Sequence, residues 1–182
     1  MTLLTVWPDD QPGHVLLRTE DTGAIVAELG RVGAGFARFP VVEGSSEGDV
    51  LARYRGLVES RVGGGCSVDV PAGEPGLVER LGDAVEDRFF VRGAAVWYLH
   101  AGREVHAVLC EAGDVLTVPA GVRHWHDGGA DLVTVRVLRA GVAGAGAGAG
   151  VGAGVVRALV PGEFPGFEEL VAERVRGSVL SG

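Results

Sequence analysis

Four groups in one short stretch of this chain have side chains suited to proton transfer or metal ligation. Glu86 and Arg88 stand two residues apart in EDRFFVRG, and His124 and His126 stand two apart in VRHWHD. On a β-strand, residues two apart project to the same face. Each pair therefore works from one surface: Phe90 joins Glu86 and Arg88, and Trp125 turns away from the two histidines. Two histidines and one carboxylate, here Glu86, His124 and His126, make up a transition-metal ligand set that leaves coordination positions open. The same groups can act without a metal, with Glu86 or His124 as general base and an arginine holding a developing oxyanion. Arginine suits that task because its planar fork of donors is always charged. A buried carboxylate beside an arginine needs a partner, so an ion pair of Glu86 with an arginine is the structural alternative. In the same way His126 can serve only as a hydrogen-bonding group facing a substrate or water.

Further candidates are weaker. His100 and His106 lie on opposite arms of a hairpin turning at residues 101–104 and, as cross-strand neighbours, could share a metal, although that turn is expected away from the site. Glu79 and Asp83 are spare oxygen donors. His14, in QPGHV, reads as solvated surface.

These side chains need strands to carry them. From Arg88 onward the runs FFV, VWYL, VHAVL, VLTV and LVTVRVL are broken by Gly, Asp or charged turns, which predicts a small antiparallel barrel joined by hairpins. Ahead of it, LLTVW reads as a short strand stopping at Pro8 and closing a sheet edge. Asp21 or Thr22 can cap a helix with Ile25, Val26 and Leu29 on one face and Gly30 at its end. Val50, Leu51, Tyr54, Leu57 and Val58 recur at helical spacing between Gly48 and Val62, where GGG follows. Both helices are expected to pack outside the barrel. CSVDV at 66–70 reads as a strand, and Pro75 suits the first turn of a short helix in EPGLVERLG. Residues 140–154 are almost pure Gly and Ala and read as a loop, the rival being extended pairing at a sheet edge. VVRALV reads as a last strand. Phe167, Leu170, Val171 and Val175 outline a final helix.

One domain fits 182 residues with 47% hydrophobic content. We divide it into an N-terminal elaboration (1–83), a barrel core (84–139), the Gly/Ala loop (140–154) and a C-terminal strand and helix (155–182). A net charge of −8 without any basic run leaves nucleic acid and anionic membranes no electrostatic hold. No signal-like or membrane-spanning stretch is present, which predicts a cytoplasmic protein with a small-molecule substrate, as monomer or homodimer. Cys66 and Cys110 belong to no CxxC pair and read as free thiols. All 16 basic residues are arginine, which suggests a GC-rich bacterial source.

GDVLTVPAGVRH, with Gly113, Pro119, Gly121 and His124, matches the second motif of the cupin barrels, and Glu86 with Gly93 matches the end of the first. Together with VTVRVL, the N-terminal helices and RFP at 38–40, these segments resemble the acireductone dioxygenase family. The resemblance implies an all-β-dominated cupin barrel with N-terminal helices and a C-terminal helix. It also implies Fe(II) or Ni(II) held by an HxH pair, a glutamate and a late histidine, and oxidation of a small enediol. By position the glutamate is Glu86 and the late histidine His124, while Arg88 and Arg136 become pocket arginines. The HxH pair falls on Arg80 and Gly82, so half of that ligand set is missing, and His126 stands where the family has phenylalanine. Two functions are compatible with this pattern. One is a divergent oxidoreductase acting on an enediol or enolisable ketone with metal on Glu86, His124 and His126. The other uses no metal and performs isomerisation or cyclisation, as in bacterial secondary metabolism, with Glu86, Arg88, His124 and Arg136 catalytic and Phe90 and His126 lining the pocket. A non-catalytic small-ligand binder is the remaining reading.

Overall fold

The structure is a computed structural model that describes residues 1–41, 50–62, 66–71, 76–140 and 159–179. In chain order its first elements are β1 (Leu3–Pro8), β2 (Leu17–Thr19), α1 (Thr22–Arg31), β3 (Gly35–Arg38), α2 (Val50–Val62), β4 (Cys66–Asp69) and β5 (Arg80–Leu81). The barrel strands proper come next as β6 (Ala84–Arg92), β7 (Ala94–Ala101), β8 (Glu104–Glu111), β9 (Asp114–Val118), β10 (Arg123–Gly128) and β11 (Val133–Ala140). A helix, α3 (Phe167–Val179), comes last.

All pairings are antiparallel and build two sheets, ordered β2-β1-β8-β7-β10-β5 and β3-β9-β6-β11-β4. Strict alternation decides what lies between them. Phe90, Trp97, Leu99, Val108, Leu116 and Val118 form one buried cluster with Leu4 and Val6. Ile25 and Leu29 of α1 join that same interior cluster, so α1 covers the barrel contents instead of lying outside them. Each of these fully buried helix residues contributes about 1.5–3 kcal/mol. The outer faces are covered separately. Val96, Tyr98 and Trp125 pack under Phe164 and Leu170, whereas Phe89, Val135 and Val137 pack under Val50, Tyr54 and Val58 of α2.

Local chemistry fixes the helix starts. Asp21 accepts a hydrogen bond from the Ala24 N–H at 2.7 Å and caps α1. The Asp127 carboxylate, on β10, accepts from the Phe167 N–H at 2.9 Å, tying the first turn of α3 to the strand that carries both histidines. Gly113 and Gly121 hold positive φ, 96° and 80°, the conformation their tight turns need and that side chains disfavour.

Several elements differ from expectation. β1 is not an edge, because β2 pairs outside it. Val26 and Val175 are exposed, so the buried stripes of α1 and α3 are narrower than the spacing suggested. No helix forms over 76–82. There Arg80 and Leu81 pair with β10, whose edge backbone groups would otherwise lack partners; Pro75 itself is outside the described residues. Leu159 and Val160 form no strand, and residues 155–158, like the Gly/Ala tract from 141 to 154, are outside the described residues. Strands of the 1–83 segment enter both sheets, so the barrel draws on more of the chain than residues 84–139. Among the described residues no helix is long and apolar enough to cross a membrane.

Candidate active site

Glu86, Arg88 and Phe90 face inward from β6, and His124 and His126 face inward from β10. The Glu86 carboxylate is taken by Arg88, whose Nε donates to Oε1 at 2.9 Å and whose Nη2 binds the same oxygen. Arg88 also donates to Thr134 Oγ1 at 3.2 Å and stands 4.8 Å from the centroid of the Trp97 ring, a cation–π contact. Trp97 in turn stacks on His126, with centroids 4.2 Å apart and planes 6° from parallel. Arg80 reaches the edge of that imidazole, its Nη2 lying 3.4 Å from His126 Nδ1. The order of contact is thus guanidinium, indole, imidazole, guanidinium.

His124 lies directly opposite Arg80 in the β10–β5 register. Its Nδ1–H donates to the Val122 carbonyl at 3.1 Å, which fixes the tautomer and leaves Nε2 with its lone pair. Burial pushes the imidazole below the ordinary histidine value. The Val122 carbonyl and the Glu86 carboxylate oppose that shift, and Arg80 and Arg88 add to it. At neutral pH His124 is therefore an uncharged base.

A cavity of about 510 Å³ opens between the two sheets. Arg88, Thr134, Trp97, His126 and Asp127 line it, together with Pro71, Leu77 and Leu132. Gly76 also lines it, pressed so closely on the His126 carbonyl that a Cβ would collide. The space suits a small molecule presenting a polar group to Arg88 and Thr134.

The site residues named from sequence separate into three sets. Glu86, Arg88, His124 and His126 share the barrel interior, and of these Arg88 and His126 line the cavity while Glu86 and His124 lie behind its wall. Phe90 stands edge-on behind Trp97, 5.5 Å between centroids, and is core support, absent from the cavity wall. Arg136 shares a register row with Arg88 but forks onto Asp69, at 2.9 and 2.6 Å, so Arg88 is the arginine that Glu86 pairs with. The structure does not bring Glu86, His124 and His126 together as a ligand set. Among the described residues, one group of three His, Cys, Asp or Glu side chains has donor atoms all within 4.8 Å of one another, and it is Glu28, Glu104 and His106. His100 and His106 do not cooperate. His106 pairs with Leu99, so His100 is on the opposite face, bonded to Glu79 at 2.8 Å through Nδ1. Glu79, also bonded to Arg123 at 3.2 Å, is committed there. The hairpin is nearer the site than expected, since His124 pairs with Leu99 and Leu99 with His106. His14 is exposed.

His106 makes the clearest pH-dependent contribution. Burial lowers its pKa against the opposing pull of Glu28 and Glu104, with Arg31 adding to the lowering, and His124 shifts the same way. A histidine with a depressed folded-state pKa binds fewer protons folded than unfolded, so stability rises with pH across that interval. The contribution is complete above about 6.5, the ordinary value, and is lost as pH falls below it toward the lowered pKa. Thermal unfolding should therefore show a midpoint that drops through this window, and His106→Gln should shrink the drop. An unchanged drop would assign it to other groups.

The two-sheet barrel, with the motif glycines in its turns and inward-facing histidines, defines a cupin. It is similar in fold to a solved acireductone dioxygenase from Bacillus anthracis with a cadmium ion in its active centre, at TM-score 0.59 and 17% identity, covering 78% of this chain and 94% of that one. In sequence, residues 77–140 match the ARD/ARD′ family. Acireductone dioxygenases from Saccharopolyspora erythraea and Parvibaculum lavamentivorans are 38% and 40% identical to the chain, over 96% and 71% of it and 100% and 80% of their own lengths. The chain belongs to the acireductone dioxygenase family.

Proposed function

We propose that this chain is an enzyme acting on a small enediol or enolisable ketone in the barrel cavity, with His124 as the proton acceptor. The observation that carries this reading is the presentation of His124. Its Nδ1–H is bound to the Val122 carbonyl at 3.1 Å, and burial holds the ring neutral. That leaves Nε2 as a base within the electrostatic reach of Arg88, which is paired with Glu86 and lines the cavity. The relatives' name supports the substrate class. Forming the enediolate is the first step of an oxygenation and of an isomerisation alike, so the assignment holds for either reaction.

In the cavity, Arg88 and Thr134 would receive the substrate oxygens while Trp97 and His126 offer flat surfaces to a conjugated anion. Glu86 holds the Arg88 guanidinium in place. Proton removal by His124 produces an imidazolium, whose charge Glu86 partly balances. The test is exchange of the proton α to the carbonyl of a 2-hydroxy ketone with solvent deuterium, which the protein should accelerate.

A second reading, metal-dependent oxidation of the same substrates, is favoured by the same lone pair on His124 Nε2, since an imidazole held through Nδ1 is also the usual metal-ligand arrangement. Fe(II) or Ni(II) would then rest on Glu86, His124 and His126. That set does not fit an ion in this geometry: Glu86 is bound by Arg88, and His126 Nδ1 faces Arg80 at 3.4 Å. Metal analysis of protein purified without an affinity tag separates the two readings.

A further inference from the structure

We propose that His126 is a second catalytic residue, a neutral imidazole whose Nε2–H polarises the substrate carbonyl while His124 takes the proton, and that Arg80 is the positioning residue that turns this N–H toward the cavity. The inference rests on the enolisation reading and adds an electrophile to it.

Three contacts fix the ring. Trp97 sets its plane, with centroids 4.2 Å apart and planes 6° from parallel. The strand beneath it is held by the His126 backbone N–H, which donates to the Gly76 carbonyl at 3.1 Å. Arg80 sets the direction of the edges, because its Nη2 lies 3.4 Å from Nδ1. A guanidinium has donors and no acceptor. In this contact Nδ1 therefore supplies the lone pair, and the ring proton sits on Nε2. His124 carries the opposite tautomer, since its Nδ1–H donates to the Val122 carbonyl. Two imidazoles, two residues apart on one strand face, thus offer one basic nitrogen and one N–H.

The edge opposite Nδ1 is the Cδ2–Nε2 bond. A Cβ built on Gly76 would stand 3.5 Å from Cδ2, so that edge lies against Gly76. Gly76 and His126 both line the cavity, and Arg80 is not part of that lining. The Nε2 edge therefore lies on the cavity side of the ring and the Nδ1 edge behind it.

A neutral donor suits this cavity better than a charged one. Arg88 is taken by Glu86 and Thr134, and Asp127 brings a carboxylate to the lining. Negative charge arises only as His124 Nε2 removes the proton: the C–H pair becomes the new C=C bond and the carbonyl pair moves onto oxygen. An N–H already aimed at that oxygen stabilises the charge without reorganising and without giving up its proton. A neutral imidazole can serve as electrophile in this way.

The test has two arms, both in EDTA. Two-bond proton–nitrogen correlation on the 15N-histidine-labelled wild-type chain reads the tautomer of each ring, and His126→Phe assigns the signal. The Nε2–H tautomer is expected for His126. Exchange of the enolisable protons of hydroxyacetone with deuterium reads catalysis. His126→Phe keeps an aromatic ring for Trp97 and removes both nitrogens, and it should lower kcat by about 10²–10³-fold, the usual cost of losing one such donor, with KM changed far less. Arg80→Met should mix the tautomers of His126 and lower kcat by about tenfold, the worth of a charged hydrogen bond, and Arg80→Lys, which keeps a donor for Nδ1, should restore both. An Nδ1–H tautomer for His126 in the wild type, or exchange by folded His126→Phe at the wild-type rate, would overturn this inference and leave the enolisation reading standing. Wild-type exchange no faster than in buffer would overturn both. The tautomer is read on the wild type, so the inference is decided even if His126→Phe does not fold.

Discussion

Changing His124 to glutamine is expected to lower turnover of an enolisable ketone by about 10²–10⁴-fold, the usual contribution of a positioned general base. Glutamine keeps a hydrogen-bonding side chain of similar length and can still reach the Val122 carbonyl, but it offers no basic nitrogen. The fold should survive, because the side-chain hydrogen bond of His124 is a single one of 3.1 Å to a local carbonyl. Circular dichroism and thermal unfolding would verify this. The loss should fall on kcat rather than KM if binding belongs to Arg88 and proton removal to the imidazole. A variant that is folded and turns over at the wild-type rate would move the base elsewhere, with Glu86 as the next candidate.

Arg88→Met should produce the largest loss of stability of any single change at the site. The side chain is 1% exposed and Glu86 10%, so removing the guanidinium strands a carboxylate with little water. Breaking a buried pair in this way costs about 3–5 kcal/mol, whereas replacing both partners by apolar residues is often nearly neutral. For a domain of this size that corresponds to a drop of roughly 6–20 °C in unfolding temperature. The Trp97 ring would also lose its cationic neighbour. The double variant carrying Glu86→Met as well should recover most of the stability and none of the activity. If Arg88→Met alone were as stable as wild type, the ion pair would not be the element that positions these groups.

Much of this arrangement was legible because strands have a period of two. That rule alone put Glu86 with Arg88 and His124 with His126, and placed Trp125 on the outer face, where it stacks on Tyr98 at 4.8 Å. The turns were legible through Gly113 and Gly121. What the chain did not disclose were relations set by register between distant segments. Arg80 meets His124 across 44 positions only because the segment ahead of β6 pairs along the open edge of β10; read locally, with Pro75 near its start, it resembled a helix. Trp97 could have been found from its alternation with Ala95 and Leu99, but nothing local shows that it stacks on His126. Thr134, in VTVRVL, gave no signal beyond strand propensity. Glu86 had two arginines within reach by spacing and resemblance. The choice of Arg88 depended on Asp69, which claims Arg136 from β4. The metal trio was compositionally sound and failed on geometry, since His126 lies flat on an indole with its Nδ1 turned toward a guanidinium.

The most direct test of the account is solvent deuterium exchange at the enolisable carbon of hydroxyacetone, followed by proton NMR with the wild-type chain in EDTA under nitrogen. Faster exchange than in buffer, abolished in His124→Gln, is the predicted result, since proton removal by His124 needs neither oxygen nor a metal. Exchange no faster than in buffer, or accelerated only after Fe(II) or Ni(II) is added, would contradict it.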